Sequence, residues 1–87
     1  MNETLQSIVD ESDYAQAKYG APASAHEALG VLIEEFDELK AAIHANQSAS
    51  VEHEAIQVAS VAYRLALAVA SGELTFWTRS GFASRES

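Results

Sequence analysis

The chain has 87 residues, a formal net charge of −8 and no cysteine. This length holds one domain with a marginal core, and the lack of cysteine excludes disulfides and thiolate zinc sites as a source of stability. The acidic balance argues against nucleic-acid polymers and anionic membranes as partners, because both require a basic surface, and it leaves divalent cations as suitable ligands.

Two further features place the chain among soluble proteins. The N-terminal segment 1–13 is acidic where a secretory signal would be basic. The longest apolar run, 58–70, contains Arg64 and is too short to cross a bilayer. We therefore expect a cytoplasmic protein without membrane contact, folded as a single domain over residues 1–87, which gains buried area through self-association.

The first predicted helix covers residues 3–19. Asn2 is a suitable N-cap, and Glu3 is favourable at the positive end of the helix dipole. Gly20 is a typical residue for a helix C-terminus, and Pro22 shortly after it prevents the helix from continuing.

The second predicted helix covers residues 25–45. Ser24-Ala-His-Glu27 has the spacing of a capping box, in which the serine caps the helix and the glutamate reaches back. At 100° per residue, the apolar residues share one face and several carboxylates share another. The apolar face consists of Ala28, Leu29, Leu32, Phe36, Leu39 and Ile43, and the acidic face of Glu27, Glu34 and Glu38. A polar loop, 46–50, follows.

The third predicted helix covers residues 51–71, with Ser50 as its cap and Gly72 as its stop. It is apolar almost all round from 55 to 70, which predicts burial on several sides. His53, Gln57, Ser60 and Arg64 form a polar stripe along it. The tail, 73–87, contains Leu74, Phe76, Trp77 and Phe82, and either a short fourth helix or packing against a neighbouring subunit would account for them.

The acidic residues of the second helix have the spacing of a metal site. Glu34 and Glu38 are four residues apart, and Glu35 and Glu38 are three apart, so their carboxylates lie side by side and repel one another. A divalent cation would turn this repulsion into attraction, and carboxylate oxygens suit magnesium or manganese. The simpler alternative is a solvated helix face.

A second pair, Glu54 and Gln57, lies on the third helix with the same spacing of three. If the second and third helices are antiparallel, this pair faces Glu35 and Glu38. Helical bundles build carboxylate metal sites from such pairs on facing helices. The sequence therefore predicts a metal site formed by Glu35, Glu38, Glu54 and Gln57.

The two motifs together resemble the MazG-like, all-α nucleoside triphosphate pyrophosphohydrolases, in particular the small phage and mobile-element type. Their signature is Glu-Glu-x-x-Glu followed by Glu-x-x-Asp at a helix–loop–helix distance. This chain has Glu34-Glu35-Phe-Asp-Glu38, then fifteen residues, then Glu54-Ala-Ile-Gln57. The flanking segments 26–33 and 58–64 are also similar to that family, and the resemblance covers roughly residues 14 to 70.

The resemblance implies an antiparallel helical bundle completed as a homodimer or homotetramer. It also implies Mg²⁺-dependent hydrolysis of a nucleoside triphosphate to a monophosphate and pyrophosphate, as a house-cleaning reaction on non-canonical or deoxynucleotides. Glu35, Glu38, Glu54 and Gln57 would hold the metal, and Glu34 and Glu38 would be catalytic. Lys18 and Arg64, with Arg79 as a further candidate, would contact the substrate phosphates; alternatively, Arg64 forms a structural ion pair with Glu34 or Glu38.

The chain departs from the family pattern at its last motif position, where Gln57 replaces the usual aspartate. A neutral amide oxygen can ligate magnesium but adds no charge. The replacement is compatible with weaker metal binding, with a branch that uses glutamine, or with lost activity. Two alternative functions follow: a non-catalytic acidic helical interaction module, and a passive divalent-cation binder.

Overall fold

The computed structural model describes residues 1–72 and Leu74. Three helices and no strand occur in this part of the chain: α1, Glu3–Tyr19; α2, Ala25–His44; and α3, Ser48–Ala70. The predicted all-helical fold class is confirmed to that extent. The predictions for Phe76, Trp77, Phe82 and Arg79 fall outside the described residues.

Local hydrogen bonds fix both ends of α1 where the sequence predicts them. The side chain of Asn2 accepts a hydrogen bond of 2.8 Å from the backbone N–H of Leu5. At the other end, the N–H of Gly20 donates to the carbonyl of Gln16, and the glycine has φ 77°. This positive φ is readily available only to glycine, so the chain can leave the helix at once.

The start of α2 is a capping box with one change from the expected pattern. Ser24 Oγ accepts a 3.0 Å hydrogen bond from the N–H of Glu27. The Glu27 carboxylate reaches back to the N–H of Ala23, at 2.7 Å, rather than to that of Ser24. Ser24 is only 1% exposed, so the capping side chain itself is buried, whereas Ala23, His26 and Glu27 around it are exposed.

The predicted start of α3 is wrong by three residues. The helix begins at Ser48, with Gln47 in the cap position, and Ser50 Oγ donates to Gln47 Oε1 at 3.3 Å instead of capping the helix. The connection is short because Asn46 reverses the chain with φ 57°, a left-handed conformation that asparagine tolerates. Gly72, with φ 78°, follows the end of the helix as predicted.

The third helix lies between the other two. Its backbone packs closely against both α1 and α2, whereas α1 and α2 make no close backbone contact with each other. The first helix therefore packs against α3 alone rather than against the whole α2–α3 hairpin. Small side chains are buried in this arrangement, namely Ser12, Ser24, Ala28, Ala42, Ser60 and Ala68.

Large apolar side chains remain exposed on all three helices, including Leu5 and Tyr14 on α1. Leu29, Ile33, Phe36 and Ile43, which we call the outer stripe of α2, are 47–55% exposed. On α3, Tyr63, Leu67 and Val69 are 39–50% exposed, so this helix is covered on fewer sides than its composition predicts. None of the helices in the described part of the chain is long and apolar enough to span a bilayer.

Candidate metal centre

Three carboxylates converge on the seam between α2 and α3. Glu35 and Glu38, one turn apart on α2, and Glu54 on α3 each offer an oxygen, and these oxygens all lie within 4.8 Å of one another. The short turn at 45–47 makes the two helices antiparallel neighbours, which brings the two sequence motifs together. The structure thus confirms the predicted juxtaposition of these three residues across the hairpin.

Two of the oxygens in this cluster lack hydrogen-bond partners. Glu35 Oε1 and Glu54 Oε1 are buried, and neither accepts a hydrogen bond. A buried acceptor without a donor costs about 1–3 kcal/mol, and more when it is charged. Several hard, anionic oxygens in one place form a donor set that suits a divalent cation, so the residues present fit a magnesium or manganese ion.

Glu35 is half-buried within the cluster. Burial raises the pKa of this carboxyl above its ordinary value, and the negative charges of Glu38, Glu54 and Glu34 raise it further. His53, one residue before Glu54, opposes these effects. Glu35 therefore holds a proton at a pH where an isolated glutamate would already have lost it.

Magnesium binding is expected to release a proton from Glu35 at mildly acidic pH. A ligating carboxylate must be ionised, so the cation displaces the proton that the raised pKa retains. Without metal, the stability gained from this proton is fully present below the ordinary pKa of 4.5 and is lost as the pH rises through the raised pKa. Titration calorimetry in buffers of different ionisation enthalpy would show proton release on magnesium binding that declines as the pH rises through the raised pKa of Glu35. Magnesium affinity that is independent of pH would contradict the expectation.

Glu34 lies beside the cluster on α2 but is not a member of it, and Gln57 lies beside Glu54 on α3. Gln57 is half-buried and lies one turn beyond Glu54 on α3. Glu34 is exposed and lies one turn before Glu38 on α2. Their positions are compatible with an additional ligand and with a base at the edge of the site, and both roles stay predictions.

The two predicted phosphate contacts lie on other parts of the fold. Lys18 is exposed on α1; its Nζ donates to the Tyr14 hydroxyl at 3.5 Å and lies 5.3 Å from the centre of the Tyr19 ring. Arg64 is half-buried on α3, and its Nη2 donates to the carbonyl of Gly20 at 2.7 Å. Among the described residues Arg64 has no ion pair, so the alternative pairing with Glu34 or Glu38 is not formed.

The sequence interpretation did not anticipate that Arg64 ties α3 to the segment between α1 and α2. Ten residues separate Arg64 from Glu54, which corresponds to about 15 Å along a helix. No local pattern signals a hydrogen bond between residues 44 positions apart. Phosphate binding by Lys18 or Arg64 therefore stays a prediction. His53, which directly precedes Glu54 on α3, is exposed and acts on the cluster by opposing the rise in the pKa of Glu35.

Comparisons of the chain with protein-family models, curated proteins and solved structures found no match.

Proposed function

We propose that this protein is a magnesium-dependent nucleoside triphosphate pyrophosphohydrolase of the MazG-like type, which releases a nucleoside monophosphate and pyrophosphate. The observation that carries this proposal is the convergence of Glu35, Glu38 and Glu54, two of which have buried oxygens without a hydrogen-bond donor. The cellular role that fits is the removal of non-canonical or deoxynucleotides.

The carboxylates of the cluster have the chemistry that the reaction needs. Glu35, Glu38 and Glu54 would hold the magnesium or manganese ion, and the Gln57 amide oxygen would add a neutral ligand. When bound, the ion offsets the charge of the carboxylates and phosphates and makes a nearby water more acidic. This charge balance allows a protein of net charge −8 to bind an anionic substrate.

Hydrolysis adds one water across the bond between the α- and β-phosphates. If the water oxygen attacks the α-phosphorus, the bond from that phosphorus to the bridging oxygen breaks, and pyrophosphate leaves with the bridging oxygen and the electron pair. If the water oxygen attacks the β-phosphorus, the monophosphate leaves with the bridging oxygen and the electron pair, and pyrophosphate keeps the water oxygen. Glu34, exposed at the edge of the cluster, is suited to accept the proton that the water loses. Glu38, one turn away on the same helix, would assist it.

The test is pyrophosphate release from a panel of canonical and modified nucleoside triphosphates, with and without magnesium. Glu38→Ala should remove the release, whereas Asp37→Ala, its exposed neighbour outside the cluster, should retain it. Release that is absent from every nucleotide, while the protein stays helical, would reject the proposal.

A second candidate function, a non-catalytic interaction module, is favoured by a different observation. The outer stripe of α2 leaves four large apolar side chains 47–55% exposed, as a helix does when it docks on a partner. A passive cation binder is the intermediate case. Magnesium binding without hydrolysis would support that case.

A further inference from the structure

A cavity of about 250 Å³ lies at the end of the α2–α3 seam, beneath the segment between α1 and α2. Its lining is mostly apolar and includes Tyr19, Pro22, Ala28, Val31, Val61 and Arg64. The volume is slightly below the range of sites for drug-sized ligands, about 300–1,000 Å³. It suits a single flat ring system rather than a whole nucleotide.

The cavity continues the same seam that holds the carboxylates. Val31 precedes Glu35 by one turn, about 6 Å along α2, and Val61 follows Glu54 by two turns, about 10 Å along α3. Because the helices are antiparallel, both steps lead in the same direction, towards the start of α2 and the end of α3. A ligand with its phosphates at the carboxylates and its ring in the cavity would lie along this seam.

Arg64 gives the cavity its one cationic group with unused hydrogen-bond donors. A guanidinium has five N–H groups. Within the described part of the chain, its one hydrogen bond is that from Nη2 to the carbonyl of Gly20, and Nε is buried without an acceptor. The N–H groups of the guanidinium other than the buried Nε and the one bonded to Gly20 therefore stay available to an acceptor atom on a ligand.

We propose that this cavity binds the base of the nucleotide substrate and that Arg64 donates to a carbonyl oxygen on that base. Guanine, cytosine, uracil and thymine carry such an oxygen, whereas adenine does not. The inference rests on the proposed function, since it assigns the other end of the same substrate. Arg64 then selects between bases, in contrast to the phosphate contact that the sequence predicts for it.

The lining favours a base over a phosphate in this cavity. Apolar walls disfavour a doubly charged phosphate, because it would lose its hydration and gain only one cation, Arg64, as a partner. A neutral aromatic ring instead gains from contact with Val31, Val61 and Pro22 while its carbonyl pairs with Arg64. A site built around a hydrogen bond also discriminates strongly against an analogue that lacks the matching group.

The first experiment measures nucleoside binding without metal or phosphate, by NMR titration of the full chain in EDTA. Guanosine, cytidine and uridine are expected to shift the signals of Val31 and Val61, and adenosine to bind at least tenfold more weakly. Because nucleosides need neither the carboxylates nor hydrolysis, this result is independent of the proposed reaction. The absence of shifts at the cavity with any nucleoside would overturn the inference even if pyrophosphate release is observed.

Two variants separate base contact from phosphate contact. Arg64→Met keeps an unbranched apolar stem but removes the hydrogen-bond donors, so the preference over adenosine should disappear while pyrophosphate binding with magnesium stays unchanged. Val61→Phe fills the cavity and retains Arg64, so it should weaken the binding of every nucleoside at least tenfold. Val69→Phe, at an exposed position of α3 outside the lining, is the matched control. If Arg64→Met instead weakens pyrophosphate binding and leaves the preference among nucleosides unchanged, the inference is overturned and the phosphate contact is supported.

Discussion

Replacing Glu54 with glutamine is expected to reduce magnesium-dependent pyrophosphate release by roughly 100-fold or more, because the site loses a charged ligand. The same replacement should raise the melting temperature of the metal-free protein. It removes a negative charge that raises the pKa of Glu35, and it removes a buried carboxylate oxygen without a donor. Release assays and thermal melts in EDTA and in magnesium measure the two effects.

Glu52→Gln is the matched control for this prediction. Glu52 lies on the same helix, is exposed and stands outside the cluster. The control changes the net charge by the same amount, so general charge effects on stability appear in both variants. Unchanged release in Glu54→Gln, or a loss equal to that in Glu52→Gln, would show that the cluster does not hold the catalytic metal.

Opposite changes in activity and metal-free stability would identify a functional cluster. Carboxylates that serve only to stabilise the fold should do so without a metal, so neutralising one of them would lower the melting temperature of the metal-free protein. Carboxylates that serve to bind a cation repel one another until the ion is bound. Neutralising one of them should therefore raise the melting temperature of the metal-free protein. Burial first, and then the negative charges of Glu38, Glu54 and Glu34, raise the pKa of Glu35, so this repulsion is one of the contributions in the metal-free protein.

Most helix ends could be predicted because they depend on contacts within one turn. Asn2, Ser24 and Gly20 act on backbone groups three or four residues away, so local sequence decides them. The start of α3 could not be predicted in the same way. The predicted cap, Ser50, lies inside the helix, because the chain reversal at Asn46 lets the helix begin at Ser48.

The carboxylate cluster was predictable for a related reason. Spacings of three and four fix which side chains share a helix face, and a short polar loop makes the next helix its antiparallel neighbour. The hydrogen bond from Arg64 to the carbonyl of Gly20 was not predictable, because the two residues are far apart in the sequence and meet only in the folded chain. Which apolar face of α2 stays exposed also depends on where α1 packs, and α1 covers α3 alone.

The exposed outer stripe of α2 leads to the second large expected effect. We expect the native mass to be two or four times the chain mass of 9.3 kDa, with the outer stripe buried between copies. Ile33 and Phe36 are 52% and 55% exposed in the single chain. Covering each would contribute about 1 kcal/mol, so about 4 kcal/mol for the two copies in a dimer.

The double variant Ile33→Ser and Phe36→Ser should therefore weaken association roughly 1,000-fold and shift sedimentation towards the single-chain mass. Tyr14→Ser is the control, since it removes an equally exposed aromatic side chain from α1 rather than from the stripe. A wild-type protein that sediments as a single chain at micromolar concentration would contradict the expectation. The side chains of the stripe are not members of the carboxylate cluster. Magnesium binding that survives in the monomeric double variant would therefore show that one hairpin holds the complete metal site.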